Sequence, residues 1–158
     1  MKNFLIAVCL CIVMNGANAE IALAAGNQSN APAPADLRAQ AASHLKFLYG
    51  MYFAIRACTE AHQEQSELGF KPTVSLSEAQ SVLRAADASA RSVGVDVDRA
   101  WLEMSSIGQA AGEALKLKSD DNFKKCQQSG MFFRTITSRL QMTIDKLDGI
   151  IPLIKKDF

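Results

Sequence analysis

The chain has 158 residues, 49% of them hydrophobic, with 17 Lys and Arg against 16 Asp and Glu and four cysteines. So balanced a charge lacks the basic excess that phosphate binding needs, which excludes nucleic acid as a partner and strong attraction to anionic lipid. The length predicts one domain, long enough to bury a real core.

Residues 1–19 read as a secretory signal. Lys2 supplies the positive start, Phe4 to Met14 is an apolar run of 11 residues, and Ala17-Asn18-Ala19 is a small-x-small cleavage site. Leu23-Ala24-Ala25 offers a second site. The run is shorter than the roughly 20 residues a membrane span needs. Cys9 and Cys11 follow Val8 and Leu10, where a lipoprotein signal requires a small residue. The expected product is soluble, periplasmic or secreted, with no stable membrane anchor after cleavage. Cleavage removes two cysteines and one base, leaving Cys58, Cys126 and a net charge of zero. Residues 20–35, small, polar and proline-containing, read as a flexible arm.

A long helix is predicted over about 36–67. Leu45, Leu48, Tyr52, Ile55, Thr59 and His62 step by three and four along its core side, and Cys58 shares that broad arc. Tyr49 and Phe53 fall on the far side, one turn apart and near Arg56; either a loop or neighbouring helix partly covers them, or they form a contact surface for a partner or a second copy. Gly69 and Pro72 end this segment. Ser75-Leu76-Ser77-Glu78 matches a capping box, opening a shorter helix over about 76–93 with Ala79, Val82, Leu83, Ala86 and Ala90 inward and Gly94 at its end. Asp96 or Asp98 caps a third helix over about 97–118. Its seam is Val97, Trp101, Met104, Gly108, Ala111 and Leu115, with Trp101 as a core filler and Gly108 and Ala111 permitting close approach. Ser119 to Asn122 opens the last helix, over about 120–150, ended by Gly149 and Pro152. Phe123, Cys126, Gly130, Phe133, Thr137, Leu140, Ile144, Leu147 and Ile151 form its seam, with Met131 and Met142 on the opposite side.

The two cysteines set the architecture. Cys58 lies near the end of the first long helix and Cys126 near the start of the last, both on core sides, so antiparallel helices bonded there overlap along most of their length. An oxidising compartment permits a disulfide. The two middle helices fit inside the loop it closes. The expected fold is all-α: an up-down-up-down four-helix bundle forming a single domain over 36–158.

Chemistry-bearing motifs are missing from this frame. His44 and His62 are 18 residues apart on one helix, roughly 27 Å, and cannot serve one site. Glu60 and Glu64 flank His62 at offsets that do not suit a metal. Asp96-Val97-Asp98 lacks the remaining ligands of a calcium loop. There is no Cys-x-x-Cys, phosphate loop or nucleophile elbow. No catalytic residue, metal or cofactor is assigned. The frame is shared by unrelated exported chaperones, inhibitors, immunity proteins and ligand carriers, and by itself selects none of them. The leading expectation is a non-enzymatic protein that binds another macromolecule, either a periplasmic or secreted protein or a second copy. Its candidate surface is Tyr49, Phe53, Met131 and Met142. The alternative is a carrier of a small apolar ligand, or of haem held by His44 or His62 against Met104 or Met142.

Overall fold

Helix formation follows the caps and the apolar spacing closely. The computed structural model describes residues 32–62, 72–117 and 119–154, with side chains except those of residues 62 and 151–154. The expected signal peptide, most of the expected arm and the loop around Gly69 lie outside the described residues. Four helices follow in order: α1 (Pro34–His62), α2 (Leu76–Ser92), α3 (Val97–Leu115) and α4 (Asp120–Ile154). No strand occurs among the described residues.

Pro34 opens α1, where its missing N–H costs nothing, and the amides of Asp36 and Leu37 donate to the Ala33 carbonyl. The Ser75 side chain caps α2 by accepting from the Glu78 amide at 3.1 Å. The helix ends in a Schellman turn: the Gly94 and Val95 amides donate to the carbonyls of Arg91 and Ala90, and Gly94 takes φ +81°. Of the two candidate caps for α3, Asp96 serves, accepting from the Arg99 amide at 3.0 Å. The Asn122 side chain donates to the carbonyls of Ala114 and Leu117, which satisfies the end of α3 from the first turn of α4. Two expected ends differ. α3 stops at Leu115, and α4 runs through Gly149 and Pro152 to Ile154. Proline in a final turn forfeits its own hydrogen bond with little helix left to disrupt.

The core is organised around α1, which makes extensive contact with all three other helices, whereas α2, α3 and α4 touch one another sparingly. The reason lies in its sequence. Leu45, Leu48, Tyr49, Phe53, Ile55, Ala57 and Cys58 are all buried, and they surround the helix instead of lining one stripe. Tyr49 reaches Asp87 and Arg38 reaches the Val93 carbonyl, so α1 and α2 are antiparallel. Cys58 bonds Cys126 while His44 meets Thr143, so α1 and α4 are antiparallel too. Lys46 pairs with Glu103, and Lys116 with Glu60, so α3 runs parallel to α1.

The Cys58–Cys126 disulfide spans 68 residues of sequence with a Cα separation of 5.5 Å, and it is buried with Leu115 and Phe123 packed on it. The seam of α4 follows the expected spacing: Cys126, Gly130, Phe133, Leu140, Ile144 and Leu147 are buried. On α3 the buried line is instead Val97, Ala100, Gly108 and Gly112. Small residues meet α1 and the bulky ones move to the rim. Trp101, expected as a core filler, is 37% exposed.

Candidate interaction surface

The four residues of the candidate surface do not cluster but separate into two pairs. Tyr49 and Phe53 are buried, at 1% and 3% exposure, because α3 lies over the far side of α1. A Cβ on Gly108 would strike the Phe53 ring, and one on Gly112 would stand 3.1 Å from the Phe53 carbonyl oxygen. The backbones of α1 and α3 can approach this closely only because both positions are glycine. Trp101 then covers the pair, edge-on to Tyr49 with centroids 5.0 Å apart and stacked on Phe53 at 5.3 Å. Met131 and Met142 remain exposed, on the outward side of α4, and do not meet Tyr49 and Phe53.

The buried phenol needs a partner and finds one. Tyr49 Oη donates to Asp87 Oδ1 at 2.6 Å; burial, then this bond, pushes its pKa far above the ordinary phenol range. Tyr49→Phe keeps the ring against Trp101 but leaves the half-buried Asp87 without that donor. It is expected to cost about 1–2 kcal/mol, read as a lower urea midpoint with an unchanged slope. An unchanged midpoint would show the bond to be energetically idle.

His44 is half-buried on the α4 side of α1, with Nδ1 3.4 Å from Thr143 Oγ1, whose hydroxyl also donates to the Arg139 carbonyl. Burial, then the Arg139 charge, holds its pKa below the ordinary 6.5. The unfolded chain therefore binds more protons between that lowered value and 6.5. The contribution of His44 is complete above 6.5 and is lost as pH falls through this window. An NMR titration should place the imidazole midpoint below 6.5, and Arg139→Ala should move it upward. A midpoint at or above 6.5 in the unmodified protein contradicts the assignment.

Neither methionine considered as a haem ligand converges on His44. Met142 points outward, and Met104 lies against Gly50 on the α3 side. Among the described residues, no group of three or more His, Cys, Asp or Glu is placed to hold a metal. A shallow hollow of about 360 Å³ opens between the N-terminal half of α1 and the start of α3, beside Ser43, Lys46, Arg99 and Glu103. Its charges are largely spent on each other. Glu103 accepts from both Lys46 and Arg99, in that order of effect, and its pKa is lowered accordingly.

A different set of apolar groups is exposed together. Around α1, Phe53 and Ala57 turn to α3, and Cys58 and His44 turn to α4. Phe47 and Ala54 fall in the interval between, at 100° per residue. On α4, Gly130 and Arg134 face α2, and Phe132 and Ile136 lie on the opposite flank. On α3, Ile107 lies about a third of a turn from Trp101, away from α2. The gap between α3 and α4 therefore carries Phe47, Ile107 and Phe132, exposed by 44%, 55% and 49%. The signal for this face was present in the sequence as a second three-four spacing on α4, running Phe132, Ile136, Arg139. It was hidden by the cleaner seam beside it. No helix among the described residues is long and apolar enough to cross a membrane. No family model, curated protein or solved structure matches the chain.

Proposed function

We propose that the protein is an exported, non-enzymatic helical module that binds another macromolecule through the side left open between α3 and α4. Its scaffold is an up-down-up-down four-helix bundle, and its mode of action is that of a chaperone, inhibitor or immunity-type protein. Export is supported by the signal-like residues 1–19 together with the Cys58–Cys126 bond, which an oxidising compartment favours. Binding is carried by one observation: Phe47, Ile107 and Phe132, three large apolar groups from three helices, are exposed, and their bearings at 100° per residue direct all three to the same flank. Lone exposed apolar residues are ordinary, but a convergent set marks a contact surface. The small residues of α3 do not favour a ligand cavity, because Gly108 and Gly112 are filled by Phe53 and Ala57.

Photo-cross-linking in the native host tests this. A benzophenone side chain at Ile107 or Phe132 should give a discrete adduct, and one at Leu102, exposed on another flank of α3, should not. Equal labelling at all three positions, or none at any with a monomeric sedimentation profile, removes the proposal.

A further inference from the structure

We infer, building on the reading above, that the open flank receives an amphipathic helix of another protein, and that the flanks of this helix are acidic. The geometry is that of a missing helix. α1 presents Phe47 and the partly buried Met51, four residues apart, with the buried Ala54 three further on at the base of the gap. α4 presents Phe132, Ile136 and Arg139 with the same steps, and α3 presents Ile107 and Ala111. The heights agree: Phe53 sits on Gly108 and Cys58 is bonded to Cys126, so Ala54, Ile107 and Phe132 lie within about a turn of one another along the domain. Three such stripes around a gap reproduce the surroundings that α1 itself enjoys. The side chains at Ala54 and Ala111 are short enough for another helix to settle between the banks.

Charge selects the kind of helix. Arg139 and Lys146, seven residues apart on the α4 bank, form no ion pair among the described residues. The acids on that side are already engaged or distant. Glu103 is held by Lys46 and Arg99, Asp96 caps α3, and Asp36 lies three turns beyond Phe47 at the start of α1. An entering helix therefore meets an apolar floor and an uncompensated basic bank, which favours Glu and Asp at its edges. A second copy of this chain fits less well. Its exposed apolar groups outside the gap, such as Leu102, Met131 and Met142, do not combine into an acidic apolar stripe.

The test uses the full mature chain, disulfide intact, and two synthetic peptides of about 18 residues. Both carry leucines on one face; one has glutamates on its flanks and its twin has lysines. Amide shifts of the protein are followed by NMR at low salt, which detects binding as weak as millimolar. The expected result is shifts centred on Ala54, Ile107 and Phe132, with the Glu-flanked peptide at least about tenfold tighter. Ile107→Glu should abolish the shifts, and Arg139→Glu should transfer the preference to the Lys-flanked twin. Equal affinity for both peptides at those residues overturns the acidic preference while the docking surface stands. Concentration-dependent dimerisation that Phe132→Glu removes, without peptide binding, makes a second copy the occupant and overturns the acidic helix. No shifts with either peptide and a monomeric chain overturn this inference, and the reading beneath it then falls only if Ile107 and Phe132 also give no discrete cross-link in the native host.

Discussion

Cys58→Ser is expected to lower the unfolding free energy by about 4 kcal/mol, because the bond closes 68 residues of chain and its removal restores that entropy to the unfolded state. For a domain of this size the melting temperature should fall by roughly 15 °C. The site adds to the effect. Cys58 and Cys126 are both 2% exposed, so serine places a hydroxyl, and the orphaned partner a thiol, where water does not reach. The double variant Cys58→Ala/Cys126→Ala separates the two contributions. It loses the cross-link but buries no new polar group, so it should melt below the oxidised protein and above the serine variant. Leu115 and Phe123 pack directly on the bond, and the end of the domain where α1 and α4 meet should loosen first. Hydrogen exchange should accelerate there before it does around Leu45 and Leu140. If reduced and oxidised protein melt alike, the disulfide carries no stabilising role.

The contrast between α4 and α1 explains what could be read in advance. On α4 one stripe faces inward, so the spacing identified Cys126, Gly130, Phe133, Leu140, Ile144 and Leu147 as buried, while Phe123 and Thr137 are half-buried and the buried Ser129 and Thr143 lie off it; the matched depths of Cys58 and Cys126 identified their pairing. On α1 apolar residues occupy every bearing. Choosing one arc as the core side left Tyr49 and Phe53 open to two readings, cover by a neighbouring element or a contact surface, and the wrap itself favours the first, which α3 supplies. Which helix does so is a long-range fact. It depends on Gly108 and Gly112, four residues apart on α3, where the absence of side chains admits Phe53 and Ala57. A search for large apolar residues passes over such a contact, because glycine carries no hydrophobic signal. The same bias placed Trp101 in the core; it lies at the rim, sealing an interface that smaller residues make. The candidate surface moved for the same reason: once α3 covers Tyr49 and Phe53, the exposed groups are those on the flank it leaves open.

Gly108→Val tests that close approach most directly. The first added carbon would lie inside van der Waals contact of the Phe53 ring, with two further ring atoms at 3.1 Å. The ring cannot swing aside cheaply, since Phe53 is 3% exposed and stacked beneath Trp101. Overpacking of this kind costs about 2–3 kcal/mol, and the better helix propensity of valine offsets only a few tenths of that. Gly149→Val supplies the control. A Cβ there meets nothing within 4 Å, so the same change should stay within about 0.5 kcal/mol of neutral. Trp101 is the sole tryptophan, and its emission should shift to the red in Gly108→Val as α3 is pushed off α1, but not in Gly149→Val. Phe53→Ala should also cost less in the valine background than alone, because the added methyls occupy space the ring vacates. A coupling of at least about 0.5 kcal/mol is expected for groups in contact. Strict additivity would mean that the two side chains do not share that space, and that α3 rests on α1 through some other contact.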